Sequence, residues 1–322
     1  MHRRSFIRPW GTIPLALAAP WWAAGCASAA PLRVGIHPWI GYESLSLAQD
    51  FKWLPSGVEL VATQDMADSS RALQSGNLDA ACTTLDEVLR LRGLGLPLTV
   101  ALVFDVSAGA DMLLVRPNIH TLAHLAGKRI GVEPGALGAL VLGSVLRSAG
   151  LARSAVTVVD LPTEAQLVAW RKQEVDAVVT YESTATMLQR EGAQRLFDSR
   201  QMPDTIVDVL AVRPERLKGR GDTVKALVAS HFRGLAHLQG SRQDAVYRIG
   251  ARQGMTPQEV QLALAGVIFP TLEANWQYLA VHGRLQIAAT ALSTLMLQAG
   301  LLQQHDAMDG ITNARWLPRD DD

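Results

Sequence analysis

The stretch LRVGIHPWIGYESLSLAQDFKW, Leu32 to Trp53, runs from strand to aromatic turn to helix without a break. Leu32, Val34 and Ile36 alternate with Arg33 and Gly35, the period of a half-buried strand, and His37-Pro38 stops the ladder because proline has no N–H to donate. Trp39, Ile40, Gly41 and Tyr42 make the turn. Glu43 to Phe51 then reads as a helix, with Leu45, Leu47, Ala48 and Phe51 on its apolar side. Two aromatics flanking a glycine beyond the carboxyl end of a strand stand where an open α/β sheet binds ligands.

Outward from this unit the alternation continues. Short β-like runs (Val58 to Thr63, Leu78 to Cys82, Leu98 to Phe104) interleave with helical ones (Ala67 to Gln74, Leu85 to Leu91), and the pattern recurs from Arg129 to Thr180. After Val212 it becomes almost wholly helical, as in Val224 to Leu238, Pro257 to Val267 and Leu285 to Ala299. Without its leader the chain keeps roughly 290 residues, more than a single core carries economically, so two lobes are expected.

Three arginines (Arg3, Arg4, Arg8) precede an apolar run from Trp10 to Ala24 that closes on Gly25-Cys26. Residues 1–25 therefore read as a cleaved export signal. Ala23-Ala24-Gly25-Cys26 reads as a lipoprotein box in which Cys26 is acylated and anchors the chain to the membrane, with Ala27-Ser28-Ala29 as the competing ordinary cleavage site. The Arg-Arg pair followed by Ser-Phe-Ile leaves twin-arginine and general export both open. No later window offers about 18 uninterrupted apolar residues, which argues for a soluble mature chain.

The formal charge is zero, and removing the three leader arginines leaves 27 basic against 30 acidic residues. That balance argues against a nucleic-acid partner. Of two cysteines only Cys82 lies in the body of the chain, so there is no disulfide framework, and in an apolar strand a buried thiol is its expected role. His120 and His124 have i,i+4 spacing without a third ligand, so no metal is expected. No Gly-x-Ser-x-Gly elbow occurs.

The order Gly41-Tyr42-Glu43-Ser44-Leu45-Ser46-Leu47-Ala48, Leu73 to Ala80 (LQSGNLDA), Gly109-Ala110-Asp111, Leu125 to Val132 (LAGKRIGV) and Val175 to Glu182 (VDAVVTYE) resembles the nitrate/sulfonate/taurine, NMT1/THI5-like group of ABC-transporter solute-binding proteins over residues 32–300. The resemblance implies an α/β, two-lobed periplasmic-binding-protein type II fold. Each lobe is then a mixed sheet flanked by helices, with the ligand cleft between lobes. Its chain crosses between lobes twice. The matching places are Leu114 to Pro117 and Val209 to Pro214, both ending Val-Arg-Pro, so 32–115 with 210–318 form lobe I and 116–209 lobe II.

Candidate ligand-binding residues follow. Gly135 and Ala136 open a helix after a strand, where free amides can hold a polar ligand atom or simply make the turn. Thr84 and Asp86 sit between strand and helix, as cap or as cleft wall. Asp105, Ser107 and Asp111 flank Gly109 in a loop that lines the cleft of the resembling family, Glu182 is the second lobe's matching acid, and Asp208 enters the second crossing. Family members often carry Trp-Glu-Pro where this chain has Tyr181-Glu182-Ser183.

Asp86, Asp105, Asp111, Glu182 and Asp208 converging without a lysine or arginine would reject nitrate and sulfonate. They would prefer a cationic or donor-rich nitrogen compound stacked by Trp39 and Tyr42. The lobes would close over the solute and an inner-membrane ABC permease would receive it, an expectation that rests on the resemblance and leaves sulfonate- or taurine-like solutes open. A monomer is expected, exported to the periplasm, with no cofactor and no catalysis. The alternative is an enzyme on the same fold, resembling the pyrimidine synthases or a small-acid dehydratase. The synthases' cysteine-rich motif is missing here.

Overall fold

The computed structural model describes residues 30–319; the leader and Cys26 lie outside them. Along the chain come β1 (Leu32–Ile36), α1 (Glu43–Asp50), β2 (Val58–Ala62), α2 (Met66–Gln74), β3 (Ala80–Thr84), α3 (Leu85–Gly93) and β4 (Thr99–Ser107). A second series follows as β5 (Asp111–Val115), β6 (Arg129–Val132), α4 (Ala136–Ala149), β7 (Thr157–Asp160), α5 (Thr163–Arg171), β8 (Ala177–Tyr181), α6 (Thr184–Arg190) and β9 (Gln194–Asp198). Then β10 (Val207–Val212) leads to α7 (Gly221–Gly240), α8 (Arg242–Gln253), α9 (Pro257–Leu264), β11 (Val267–Ile268), α10 (Leu272–Leu279) and α11 (Arg284–Gln298).

Two mixed sheets result, ordered β11-β4-β10-β3-β1-β2 and β7-β6-β8-β5-β9. They share one plan. In each, parallel neighbours (β2, β1, β3 and β7, β6, β8) are followed by one antiparallel strand, β10 in the first sheet and β5 in the second. That strand arrives directly from the other sheet: β4 leaves the first to become β5, and β9 leaves the second to become β10. This is the type II periplasmic-binding-protein fold.

The change of sheet falls between Ser107 and Asp111 and between Asp198 and Val207, earlier than the Val-Arg-Pro tripeptides suggest. Leu114 and Val115 already pair with Val178 and Ala177 of β8, and Val209 with Thr83 of β3. Each tripeptide ends a strand that has already changed sheet. Proline there terminates a ladder, which marks a strand's end rather than a crossing.

The first sheet's core joins β-strand residues such as Val34, Cys82 and Phe104 to Leu227, Leu235 and Leu292 of the C-terminal helices, so the helical tail is packed on this sheet. Cys82 is a free, buried thiol. The second sheet buries one face under α4 and the other under α5 and α6. Two close approaches fix the tail. A Cβ on Gly234 would lie 1.9 Å from the Ser44 carbonyl oxygen, so α7 meets α1 only because that position is glycine. Asn275 of α10 serves β4 as a surrogate strand, accepting from the Val103 amide at 2.8 Å and donating to its carbonyl at 3.1 Å. Among the described residues no helix is long and apolar enough to cross a membrane.

Candidate functional site

After β1 ends, His37-Pro38 turns the chain across the carboxyl end of the first sheet, and the Trp39 indole N–H donates to Asp105 Oδ2 at 3.1 Å. Gly41 makes this possible: a Cβ there would lie 1.8 Å from the same oxygen. The Tyr42 hydroxyl donates to Asp208 Oδ1. With its ring 1 % exposed and met edge-on by His37 and Phe104, Tyr42 offers no face to a solute. The expected stacking role of Tyr42 is replaced by one of holding a carboxylate. Trp39 is buried too, its ring edge-on to Tyr181 of the second sheet at 5.7 Å.

Sheet register assembles the acids. Asp208 of β10 is the cross-strand partner of Asp105 on β4 and of Thr84 on β3, and Asp86 follows in the first turn of α3. Asp111 opens β5 opposite Tyr181. All four aspartates are buried, and Asp208 feels the charges of Asp105, Asp111 and Asp86. Oδ1 of Asp105, Oδ2 of Asp86 and Oδ2 of Asp111 have no hydrogen-bond partner. None of the salt bridges among the described residues reaches any of the four.

Burial drives their ionisation. It pushes Asp105 up to about 8, with Asp111 adding repulsion and the Trp39 hydrogen bond opposing. Burial, then the neighbouring Glu87, takes Asp86 to about 7. Burial takes Asp111 to about 6 against its interaction with Ser107, and holds Asp208 well above the carboxylate range with Asp105 adding to the effect. A buried carboxylate lacking a cation behaves this way because the charged form has lost its water. Among the described residues no three of His, Cys, Asp and Glu converge closely enough to hold a metal ion.

The remaining predicted residues are distributed. Thr84 donates to the Met66 sulfur at 3.2 Å. Ser107 belongs to the crossover: its hydroxyl meets that of Ser199 at 2.8 Å, and Ser199 accepts from the Gly109 amide at 2.6 Å. Gly135, at φ 147, caps α4 without a side-chain bond to the first amides, and Ala136 is buried behind it. Both line a cavity of about 450 Å³ between α2, α3 and α4. Glu182 does not join the aspartates. Its Oε2 accepts from the Thr186 amide and hydroxyl at 3.1 and 2.7 Å, fastening α6, and it borders a separate cavity of about 590 Å³ with Arg190, Arg195 and Arg200.

Sequence reasoning missed Glu133. It is 7 % exposed, lines the 450 Å³ cavity, and leaves Oε1 without a partner. Burial and the neighbouring Asp65 push it up to about 7. An acid between a strand and Pro134-Gly135 was the available signal, since that turn faces the cleft whenever the following helix does.

The chain is 22 % identical to the taurine-binding periplasmic protein of Escherichia coli (strain K12) over 268 residues, 76 % of this chain and 81 % of that protein. In structure it resembles the zinc-bound ligand-binding component of an ABC-type import system from Staphylococcus aureus, with TM-score 0.74, 16 % identity and 89 % and 98 % of the two chains covered. It likewise resembles the periplasmic aliphatic sulphonate binding protein SsuA of Escherichia coli, with TM-score 0.72, 17 % identity and 89 % and 92 % coverage. These likenesses support the fold. Residues 57–245, more than half of the sequence, match the NMT1/THI5 like family, and the chain belongs to it.

Proposed function

We propose that this protein is the extracytoplasmic solute-binding component of an ABC importer and that it captures a small organic cation or donor-rich nitrogen compound, delivering it unchanged to a membrane permease. One observation carries the choice of solute: three buried aspartates, Asp86, Asp105 and Asp111, each present an unused oxygen, beside Asp208 and with no cation in the cluster. An ammonium or amidinium would supply the missing donors and stabilise the charged carboxylates. The quartet draws on both sheets, Asp111 from the second and the others from the first, so a bound cation favours their approach. Family membership and the named relatives support capture over turnover, and the export leader read from the sequence fits a periplasmic site of action, anchored if Cys26 is acylated.

A second reading draws on the taurine- and sulphonate-binding relatives: a sulfonate seated on the uncapped amides of α4 at Gly135 and Ala136. Thermal shifts across amines, guanidines, pyrimidines and alkanesulfonates separate the two. Stabilisation by amines or guanidines supports the cationic reading, and stabilisation by alkanesulfonates alone ends it. Mass spectrometry of the co-purifying molecule tests capture, since a converted product in place of an unchanged solute would favour the enzyme alternative.

A further inference from the structure

The cleft carries a second buried carboxylate set apart from the aspartates. Glu133 lies at the amino end of α4, where Oε1 has no partner although it borders the 450 Å³ cavity. The two arginines on that cavity are engaged elsewhere. Arg90 grips Glu87 through Nε at 2.8 Å and Nη2 at 2.6 Å, and Arg71 sits 3.4 Å from Asp68. Around Glu133 stand Asp65, Glu164, Thr163 and Tyr181, and although Arg147 and Arg153 border a second cavity that Glu133 also lines, among the described residues no ion pair reaches it.

An aromatic pair joins the two acidic stations. Tyr181 interacts with Glu133 and packs edge-on against Trp39, while Trp39 donates to Asp105. Each ring serves one carboxylate, and the rings touch in between. A solute with a single nitrogen cation would satisfy the aspartates and leave Glu133 Oε1 buried without a donor, a costly outcome for a charge-bearing group.

Resting on the cationic reading above, we infer that the solute carries two cationic or donor nitrogens, one received by Asp105 and its neighbours and the other by Glu133, with its carbon skeleton lying along Trp39 and Tyr181. The second nitrogen is worth about tenfold or more in affinity, the scale of one buried charge-assisted hydrogen bond.

Calorimetric titration of the purified protein with putrescine, cadaverine, butylamine and taurine tests this. At least one diamine should bind about tenfold tighter than butylamine, and in Glu133→Gln the diamine-to-monoamine ratio should fall to about one. Equal affinity for diamines and butylamine in the wild type overturns the inference while leaving the cationic reading intact. A ratio unchanged in Glu133→Gln also overturns it. Failure of every amine, with or without binding of taurine, sinks the cationic reading itself. The wild-type ratio stands even if the variant folds poorly.

Discussion

Ser199 accepts the Gly109 amide hydrogen at 2.6 Å, so the strand that returns to the first sheet is tied to the strand that leaves it. The same hydroxyl meets Ser107 at 2.8 Å, and both serines are buried. The two crossover segments are thereby bonded to each other. Ser199→Ala strands an amide and a hydroxyl away from water, and the expected cost is about 1–3 kcal/mol of stability. Urea unfolding should show an earlier midpoint with an unchanged slope. An unaltered midpoint would mean that the serine bonds carry no weight.

Gly41→Ala should be far more damaging than its position in a turn implies. The added methyl would collide with Asp105 Oδ2 and crowd the Trp39 indole nitrogen at 2.4 Å. Relief requires moving both residues, so about 1–3 kcal/mol of stability should go. Solute binding should weaken with it, and tryptophan fluorescence should report the displaced ring. A variant with wild-type melting and fluorescence would show that Asp105 has room to move.

The raised carboxylates fix how stability varies with pH. A carboxyl whose folded pKa exceeds its unfolded value binds more protons when folded, so its contribution is complete at low pH and is lost as pH rises through the folded value. For each of these groups the loss begins in the ordinary carboxylate range, at about pH 4, and is largely complete by its folded value, about 6 for Asp111, about 7 for Asp86 and Glu133 and about 8 for Asp105. Buried His37 and His231, pushed down to about 4 and about 3, act oppositely, adding stability as pH rises to the ordinary histidine range and nothing beyond it. The ligand-free melting temperature should therefore fall between about pH 7 and pH 8.5, where only the carboxylates still titrate. Asp105→Asn should flatten that fall, and a slope equal to wild type would remove Asp105 from the account. A cationic solute should give a larger thermal shift at pH 8 than at pH 6, because binding selects the charged carboxylates.

Asn275→Leu tests the surrogate strand. Both of its bonds to Val103 would go, leaving a buried amide and carbonyl without partners at a cost of about 2–4 kcal/mol. Hydrogen exchange at Val103 should accelerate more than at Leu210 in the neighbouring strand. Equal protection at the two amides would mean that another group has filled the gap.

Much of the architecture was legible because period and punctuation are local. The alternation of Leu32, Val34 and Ile36, the stop at His37-Pro38 and the strand-to-helix order of Gly131 to Gly138 all survive in the structure. The change of sheet was misplaced because Val-Arg-Pro announces the end of a strand in local terms, whereas which sheet that strand joins depends on distant partners such as Val178. Asp86, Asp105, Asp111 and Asp208 stand near strand ends in the sequence, and the structure buries them within reach of one another's charge. Glu182 was indistinguishable from them in sequence, yet its bonds to Thr186 consume it locally. Tyr42 was misread for the converse reason: an aromatic after a strand looks like a ligand platform until burial turns its hydroxyl inward to Asp208.

The interchange of β5 and β10 dictates an order of assembly. β10 lies in the interior of the first sheet, between β3 and β4, and follows them by about a hundred residues of chain. Until that strand has been synthesised, the amino-terminal half holds a slot with two raw edges and cannot finish itself. The second sheet draws all its strands from one continuous stretch, so a protein severed after β9 would leave that sheet whole and the other missing its keystone.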